Sequence, residues 1–190
     1  SNSICRYRVP VDAAEGTNWL DVGFNDSGWS SGLPGVGYDA TGSNFSGLIR
    51  SPVPDLTQDL FVRHTFYADT PAALSSLSLR VKYDDGFAAY VNGTLAAVVN
   101  VPAGWQWNSV ATIEQSNTDA VVFETFDISS ARSALRAGTN VLAIQVLNGN
   151  VNPRLLTDLL LVADLGDADE RDAVGGALGI DEIQIGRAHV

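Results

Sequence analysis

One stretch of the sequence, residues 77–99, constrains the fold more than any other. Up to Tyr83, apolar and polar residues alternate with the period of a β-strand that has one buried face. The Asp84–Gly86 triplet then favours a tight reversal, because Asp side chains bond nearby backbone N–H groups and Gly accepts positive φ. The Asn92-Gly93 pair predicts a two-residue type I′ hairpin. We therefore expect three consecutive antiparallel strands, a β-meander.

Short strands separated by turns recur along the rest of the chain. Further strand patterns cover residues 6–11, 60–67, 121–128, 141–147 and 155–165. Ser129 or Ser130 can cap a short helix through Arg136, and Gly138 can end it in the left-handed conformation. This pattern predicts an all-β fold, an antiparallel jelly-roll β-sandwich. The residues predicted to be buried in it are Leu79, Val81, Val91, Leu142, Ile144 and Val146.

Three segments lack a strand pattern. Residues 19–29 combine aromatics with turn residues, and we expect them to pack as an irregular segment against the end of the sandwich. Residues 39–59 are rich in Gly, Ser and Pro, which predicts a flexible excursion. Residues 101–117 form a loop that carries Trp105 and Trp107.

Composition narrows the classes of function. The chain has 190 residues, 45% of them hydrophobic, which suits one globular domain with a sizeable core. Its formal net charge of −11 repels nucleic-acid backbones and anionic membranes, but it leaves neutral sugars and cations as ligands. Apolar runs fall short of the roughly 20 residues that cross a bilayer. Cys5 is the single cysteine, which excludes an intramolecular disulfide and a multi-cysteine metal site.

The domain prediction has three parts. Residues 1–165 form the sandwich, residues 166–184 form an acidic Gly/Ala linker, and residues 185–190 resemble the translation of a widely used sequencing adapter. The sequence contains no methionine and starts with Ser1, so we expect an internal fragment of a larger protein.

Residues with catalytic potential have simpler structural interpretations. Residues 28–32 match the G-x-S-x-G string of a nucleophile elbow, but Pro34 follows at once and excludes the helix that the elbow requires. His64 lies inside a strand pattern, which favours a structural histidine over a general base. Asp84 and Asp85 are adjacent, whereas glycosidase carboxylates face each other across a cleft. We therefore expect a domain without catalytic activity, with Asp84 and Asp85 mainly capping a turn.

A binding site is predicted around Trp105 and Trp107. Residues two apart in an extended segment project to the same side, so both indoles can offer a platform to the apolar faces of sugar rings. The alternative, which remains open, is that one or both indoles fill the end of the sandwich; Trp19 and Trp29 are expected in the core. The polar residues predicted to complete the ligand site are Asp84, Asp85, Asn148 and Asn150.

No metal ligand is assigned by the sequence. The acidic residues between Asp164 and Asp172 invite a calcium hypothesis, because hard cations prefer several carboxylate oxygens. Their spacing fits no EF-hand loop, and a solvated acidic linker is the favoured interpretation. A structural calcium elsewhere stays open as a cofactor.

Several motifs taken together resemble the galactose-binding-like jelly-roll domains of bacterial secreted proteins. The motifs are Trp19 with residues 24–29, then residues 35–38, 62–66, 84–86, 90–93 and 138–143. The last two are also similar to the sugar-binding domain of family two glycoside hydrolases. The resemblance covers about residues 5–165 and implies a non-catalytic sandwich that binds carbohydrate or supports neighbouring domains.

Two functions are therefore predicted. The first is a non-catalytic carbohydrate-binding accessory module of a secreted bacterial enzyme, such as a glycoside hydrolase, with glycans and neighbouring domains as partners. The second is a structural or adhesive spacer of a cell-surface protein without a ligand of its own. The resemblance implies an extracellular or cell-surface location in both cases, with no nucleic-acid partner and no membrane insertion. An open groove with exposed aromatics distinguishes the binder from the spacer.

Overall fold

The computed structural model describes residues 4–41, 45–149 and 154–165. Its strands are β1 Cys5–Arg8, β2 Ser30–Gly32, β3 Val36–Asp39, β4 Ser51–Pro52, β5 Asp59–Ala68, β6 Leu74–Asp84, β7 Gly86–Val91, β8 Thr94–Val99, β9 Glu124–Asp127, β10 Gly138–Leu147 and β11 Arg154–Leu165. The helical elements are one turn of α-helix, α1 Asn117–Ala120, and 3₁₀ turns at Asn18–Leu20, Pro71–Ala73 and Ser129–Ala134. The predicted linker and the adapter-like residues, 166–190, lie outside the described residues.

The strands form two sheets. The six-stranded sheet has the order β2-β1-β5-β10-β7-β8, and the five-stranded sheet has the order β4-β3-β11-β6-β9. Pairing is antiparallel throughout, apart from the short parallel contact between β3 and β4. The predicted all-β antiparallel sandwich is confirmed.

The hydrophobic core lies between the sheets and follows the period-2 pattern. β6 contributes Leu77, Leu79 and Val81, and β10 contributes residues 142, 144 and 146. All six residues predicted to be buried have an exposed fraction of 0%. Burial of each such side chain contributes roughly 1.5–3 kcal/mol to folding, so the alternation in β6 specifies which face of this strand turns inward.

The predicted β-meander is wrong at its first turn. β6 pairs with β9 and β11, whereas β7 pairs with β8 and β10, so the Asp84–Gly86 triplet carries the chain from one sheet to the other. A Cβ atom on Gly86 would lie 2.8 Å from the carbonyl oxygen of Val99, so the crossing needs glycine there. The Asn92-Gly93 hairpin is confirmed, since both residues have positive φ, 48° and 84°.

Other local predictions need correction. Residues 39–59 are not simply a flexible excursion, because the Asp39 carboxylate accepts hydrogen bonds from the N–H groups of Thr41 and Phe45. Phe45 is itself buried, in a cluster with Ala120. The strand predicted over residues 121–128 is shortened to β9, since α1 precedes it. The predicted helix after Ser129 is a 3₁₀ turn that ends at Ala134, before Gly138 with its φ of 97°.

His64 lies on the inward face of β5, with an exposed fraction of 0%. Among the described residues, neither ring nitrogen has a hydrogen-bond partner. Burial lowers the pKa of His64 to about 4. The structural interpretation of this histidine is confirmed, since a side chain enclosed between two sheets contacts no substrate.

The first prediction concerns acid stability. Between pH 6.5 and 4 the unfolded chain binds a proton at His64 that the folded chain does not, so the free energy of unfolding falls by up to about 1.4 kcal/mol per pH unit as the pH drops. The His64→Leu variant should lose less stability than the parent over this range. Urea titrations at several pH values measure the difference. Equal slopes in the two proteins would contradict the account.

Candidate functional site

The outer face of the six-stranded sheet is covered by protein around Phe61 and Arg63, and it is open to solvent farther along β5, at Tyr67. Phe61 and Arg63 point outward from β5, yet their exposed fractions are only 2% and 3%. Residues 17–29 and the loop of residues 101–110 lie over them. The prediction that residues 19–29 pack against the end of the sandwich is therefore wrong, because their partners are on a sheet face.

Arg63 fastens residues 17–29 to the sheet. Its Nε donates to Asp26 Oδ2 at 2.8 Å, and its Nη1 donates to the carbonyl oxygens of Trp19 and of Asp21, the latter at 3.0 Å. The guanidinium carbon lies 5.2 Å from the ring centroid of Phe24. The buried guanidinium donates hydrogen bonds to three oxygens and makes a cation–π contact with one ring. Together these contacts hold the segment in a single position.

An aromatic cluster fills the space beside Arg63. It consists of Trp19, Leu20, Trp29, Phe61 and Ala143. The Trp19 ring stacks on Phe61 with centroids 4.2 Å apart and an interplanar angle of 8°. With exposed fractions of 3% and 6%, Trp19 and Trp29 are core residues, as predicted. The chain thus has a second hydrophobic core, outside the sandwich.

Trp105 and Trp107 lie above this second core. Trp107 and Tyr90 pack against the aromatic cluster. Burial raises the pKa of Tyr90, and the neighbouring Trp105 side chain partly offsets the rise, which places Trp105 beside the Tyr90 hydroxyl. All three side chains are half-buried. Their partly exposed rings form what we call the aromatic surface, Tyr90, Trp105 and Trp107.

Two polar residues that were not predicted from the sequence, Gln145 and Asp59, lie beneath this surface. Gln145 Nε2 donates to Asp59 Oδ1 at 2.9 Å and to the carbonyl oxygen of Gln106 at 2.8 Å. Gln145 and Asp59 are buried, and burial raises the pKa of Asp59 to about 8. The sequence contains one sign of this buried polar pair, Gln145 itself, because a polar residue there interrupts the apolar run of β10.

An open depression of about 540 Å³ lies on the same side of the molecule. Its lining combines polar Thr17, Asn18 and Asp21 with apolar Leu20 and Phe24, and the tip of the β7–β8 hairpin closes one side. Leu20 belongs to the aromatic cluster, and Phe24 packs against it. The depression therefore offers hydrogen-bonding groups next to an apolar wall.

Three of the predicted polar site residues, Asp84, Asp85 and Asn148, are buried. Asp85 Oδ1 and Oδ2 accept from the N–H groups of Gln115 and Gly149, at 2.8 and 2.7 Å. Asn148 Nδ2 donates to the Tyr38 hydroxyl at 2.9 Å. Asp84, Asp85 and Asn148 are all 2% exposed or less, which does not favour them as ligand contacts, and their binding role stays a prediction. The hydrogen bonds of Asp85 and Asn148 attach neighbouring loops to the sandwich.

Other predicted features remain open. Asn150 and the acidic residues after Leu165 lie outside the described residues. Within residues 4–41, 45–149 and 154–165, no group of three or more His, Cys, Asp or Glu side chains is placed to hold a metal ion. In the same part of the chain, no helix is long and apolar enough to cross a membrane.

Solved structures with a similar arrangement are large glycosidases. A β-glucuronidase from Bacteroides uniformis has a TM-score of 0.49 at 14% identity, over 84% of this chain and 17% of that enzyme. A glycosyl hydrolase family 2 member from Bacteroides cellulosilyticus has a TM-score of 0.46 at 15% identity, over 83% and 20% of the two chains. The Bifidobacterium dentium β-glucuronidase complexed with coumarin-3-O-glucuronide has a TM-score of 0.45 at 16% identity, over 76% and 19%.

This chain therefore spans about a fifth of the length of these enzymes. One of them belongs to the family whose sugar-binding domain the sequence resembles. With TM-scores below 0.5, the matches establish no shared activity. No protein-family model matches the chain, and no curated protein matches it in sequence.

The second prediction compares two arginines that share one carboxylate. Arg63→Met leaves Asp26 and two carbonyl oxygens without their buried donor, so it should cost about 3–5 kcal/mol of unfolding free energy. Arg6 lies 4.0 Å from the same Asp26 with 41% of its side chain exposed. Arg6→Met should therefore cost under about 1 kcal/mol. Chemical denaturation measures both, and similar losses in the two variants would contradict the anchor role of Arg63.

Proposed function

We propose that this chain is a non-catalytic carbohydrate-binding accessory module of a larger secreted protein, such as a glycoside hydrolase. The observation that carries the proposal is the aromatic surface, in which the half-exposed rings of Trp105 and Trp107, on the loop of residues 101–110, lie with Tyr90 of β7 over the six-stranded sheet. Stacking on such rings suits the apolar faces of sugars, and fixed rings lose little conformational entropy when a ligand binds. The resemblance of the sequence motifs to sugar-binding domains supports the same conclusion.

The neighbouring depression supplies the polar half of a sugar site. Thr17, Asn18 and Asp21 line it with hydroxyl, amide and carboxylate groups that can hydrogen-bond to sugar hydroxyls. A combination of an apolar wall with a few polar groups is typical of small-molecule sites. Since the chain carries a net charge of −11, we infer a neutral glycan rather than a polyanionic one.

A spacer domain is the second candidate, and one observation favours it. Trp107 packs against the aromatic cluster, so part of the aromatic surface also serves the second core. A spacer needs these rings only for stability, whereas a binder also needs their exposed parts. In either case we propose neighbouring domains of the same protein as partners and an extracellular or cell-surface location.

The third prediction tests the binding role. Trp105 lies outside the aromatic cluster, so Trp105→Ala should abolish glycan binding while the melting temperature falls by only a few degrees. Trp107→Ala should also weaken binding, with a larger loss of stability. Screening on a glycan array, followed by calorimetry with and without calcium, measures the affinity and tests for a structural ion. Binding should depend little on salt, as expected for stacking and neutral hydrogen bonds.

Tyr67→Ala is the matched control for this experiment. Tyr67 is an aromatic residue with 51% exposure on the same sheet face, but it lies near the opposite end of β5 from Asp59. Its replacement should leave glycan affinity unchanged. A Trp105→Ala variant that binds as well as the parent would overturn the assigned site, and a folded parent that binds no glycan would favour the spacer.

A further inference from the structure

A buried hydrogen-bonded chain connects the loop of residues 101–110 to the sheet beneath it. Gln145 Nε2 has two hydrogens, and the structure uses both, one toward Asp59 Oδ1 and one toward the carbonyl oxygen of Gln106. Gln106 separates Trp105 from Trp107 in sequence. We propose that Asp59 and Gln145 form a proton-dependent latch that holds the aromatic loop on the six-stranded sheet.

The surroundings of Asp59 suit a neutral carboxylic acid. The residue is 3% exposed, and Oδ1 accepts one hydrogen bond, from Gln145. Among the described residues, Oδ2 has no hydrogen-bond partner. A buried carboxylate needs several donors, so a single amide donor leaves the ionised form poorly compensated. Burial accordingly raises the pKa of Asp59 to about 8.

Loss of the proton changes what Asp59 requires. An ionised Asp59 needs donors besides the one N–H of Gln145. The two N–H bonds of an amide nitrogen diverge, so the further donors come from water that enters beneath the loop. Entry of water loosens the loop, so deprotonation of one buried acid is coupled to the position of Trp105 and Trp107.

The loop itself contains no titratable residue, since residues 101–110 lack acids, bases, tyrosine and cysteine. On the sheet face, Arg63 is paired with Asp26, and Arg8 of β1 is paired with Glu15 at 2.9 Å. Besides these two charged pairs, the titratable groups of the elements that pack on this face are Arg6 of β1, Asp21, Tyr67 of β5 and Tyr90 of β7.

Tyr90 and Asp85 are two further titratable groups on this side of the molecule. Burial raises the pKa of Tyr90 above its usual 10, so this phenol titrates at higher pH than the latch. Asp85 lies beyond the end of β10, where two backbone N–H groups satisfy its carboxylate. Asp59, whose pKa burial raises to about 8, is the group that the test below follows.

The test measures hydrogen exchange of residues 101–110 in the full chain from about pH 7 to about pH 9, corrected for intrinsic rates with an unstructured reference peptide. In the parent, protection of the loop should fall several-fold as the pH passes through 8. Asp59→Asn keeps an acceptor for Gln145 without the proton equilibrium, so its protection should stay constant. Asp127→Asn changes an exposed acid and should behave like the parent.

A second variant keeps the test decisive if Asp59→Asn is hard to interpret. Gln145→Leu removes the connection, and its loop should be poorly protected at every pH while core strands keep their protection. A parent-like pH profile in Asp59→Asn, or parent-like protection in Gln145→Leu, would overturn the latch.

The consequence for ligands rests on the proposed function. If the aromatic surface binds a glycan, affinity should fall above pH 8 in the parent but not in Asp59→Asn. A parent that binds no glycan on the array would refute the proposed function alone. The exchange measurement would still decide whether the latch exists.

Discussion

The buried guanidinium of Arg63 is the interaction on which the outer half of the molecule depends. It joins the chain segment before β2 to the middle of β5 through Asp26 and two backbone carbonyls. With that segment in place, Trp19 can stack on Phe61, and Tyr90 and Trp107 of the aromatic surface pack against the resulting cluster. A buried guanidinium that donates hydrogen bonds to three oxygens specifies one arrangement of the segment. Any shift of the segment would remove these acceptors and leave a buried cation without compensation.

The sequence predicted features that depend on local chemistry. Alternation identified the buried face of β6, and Asn92-Gly93 identified a hairpin, since positive φ at two successive residues is a local requirement. The Asp84–Gly86 turn shows the limit of such reasoning. Its residues indicate a sharp change of direction, but the sheet that receives the next strand is decided by distant partners, β10 and β11.

The candidate site was predictable only in part, for the same reason. Trp105 and Trp107 were recognised by type and spacing, but Arg63 and Asp59 look like solvent-facing residues of an alternating strand. They are buried because other segments cover that face, and alternation alone does not reveal such a cover. Conversely, Asp85 and Asn148 looked suited to a ligand, yet their hydrogen bonds close neighbouring loops.

The central claim is that the aromatic surface, rather than the second core beneath it, contacts a glycan. The chain has four tryptophans, and each contributes one indole N–H resonance to a ¹⁵N-correlated NMR spectrum. The most direct measurement follows these four signals while a glycan selected on the array is added. The account predicts shifts for Trp105 and Trp107, with Trp19 and Trp29 almost unchanged. Unchanged signals for Trp105 and Trp107 under saturating glycan would contradict it.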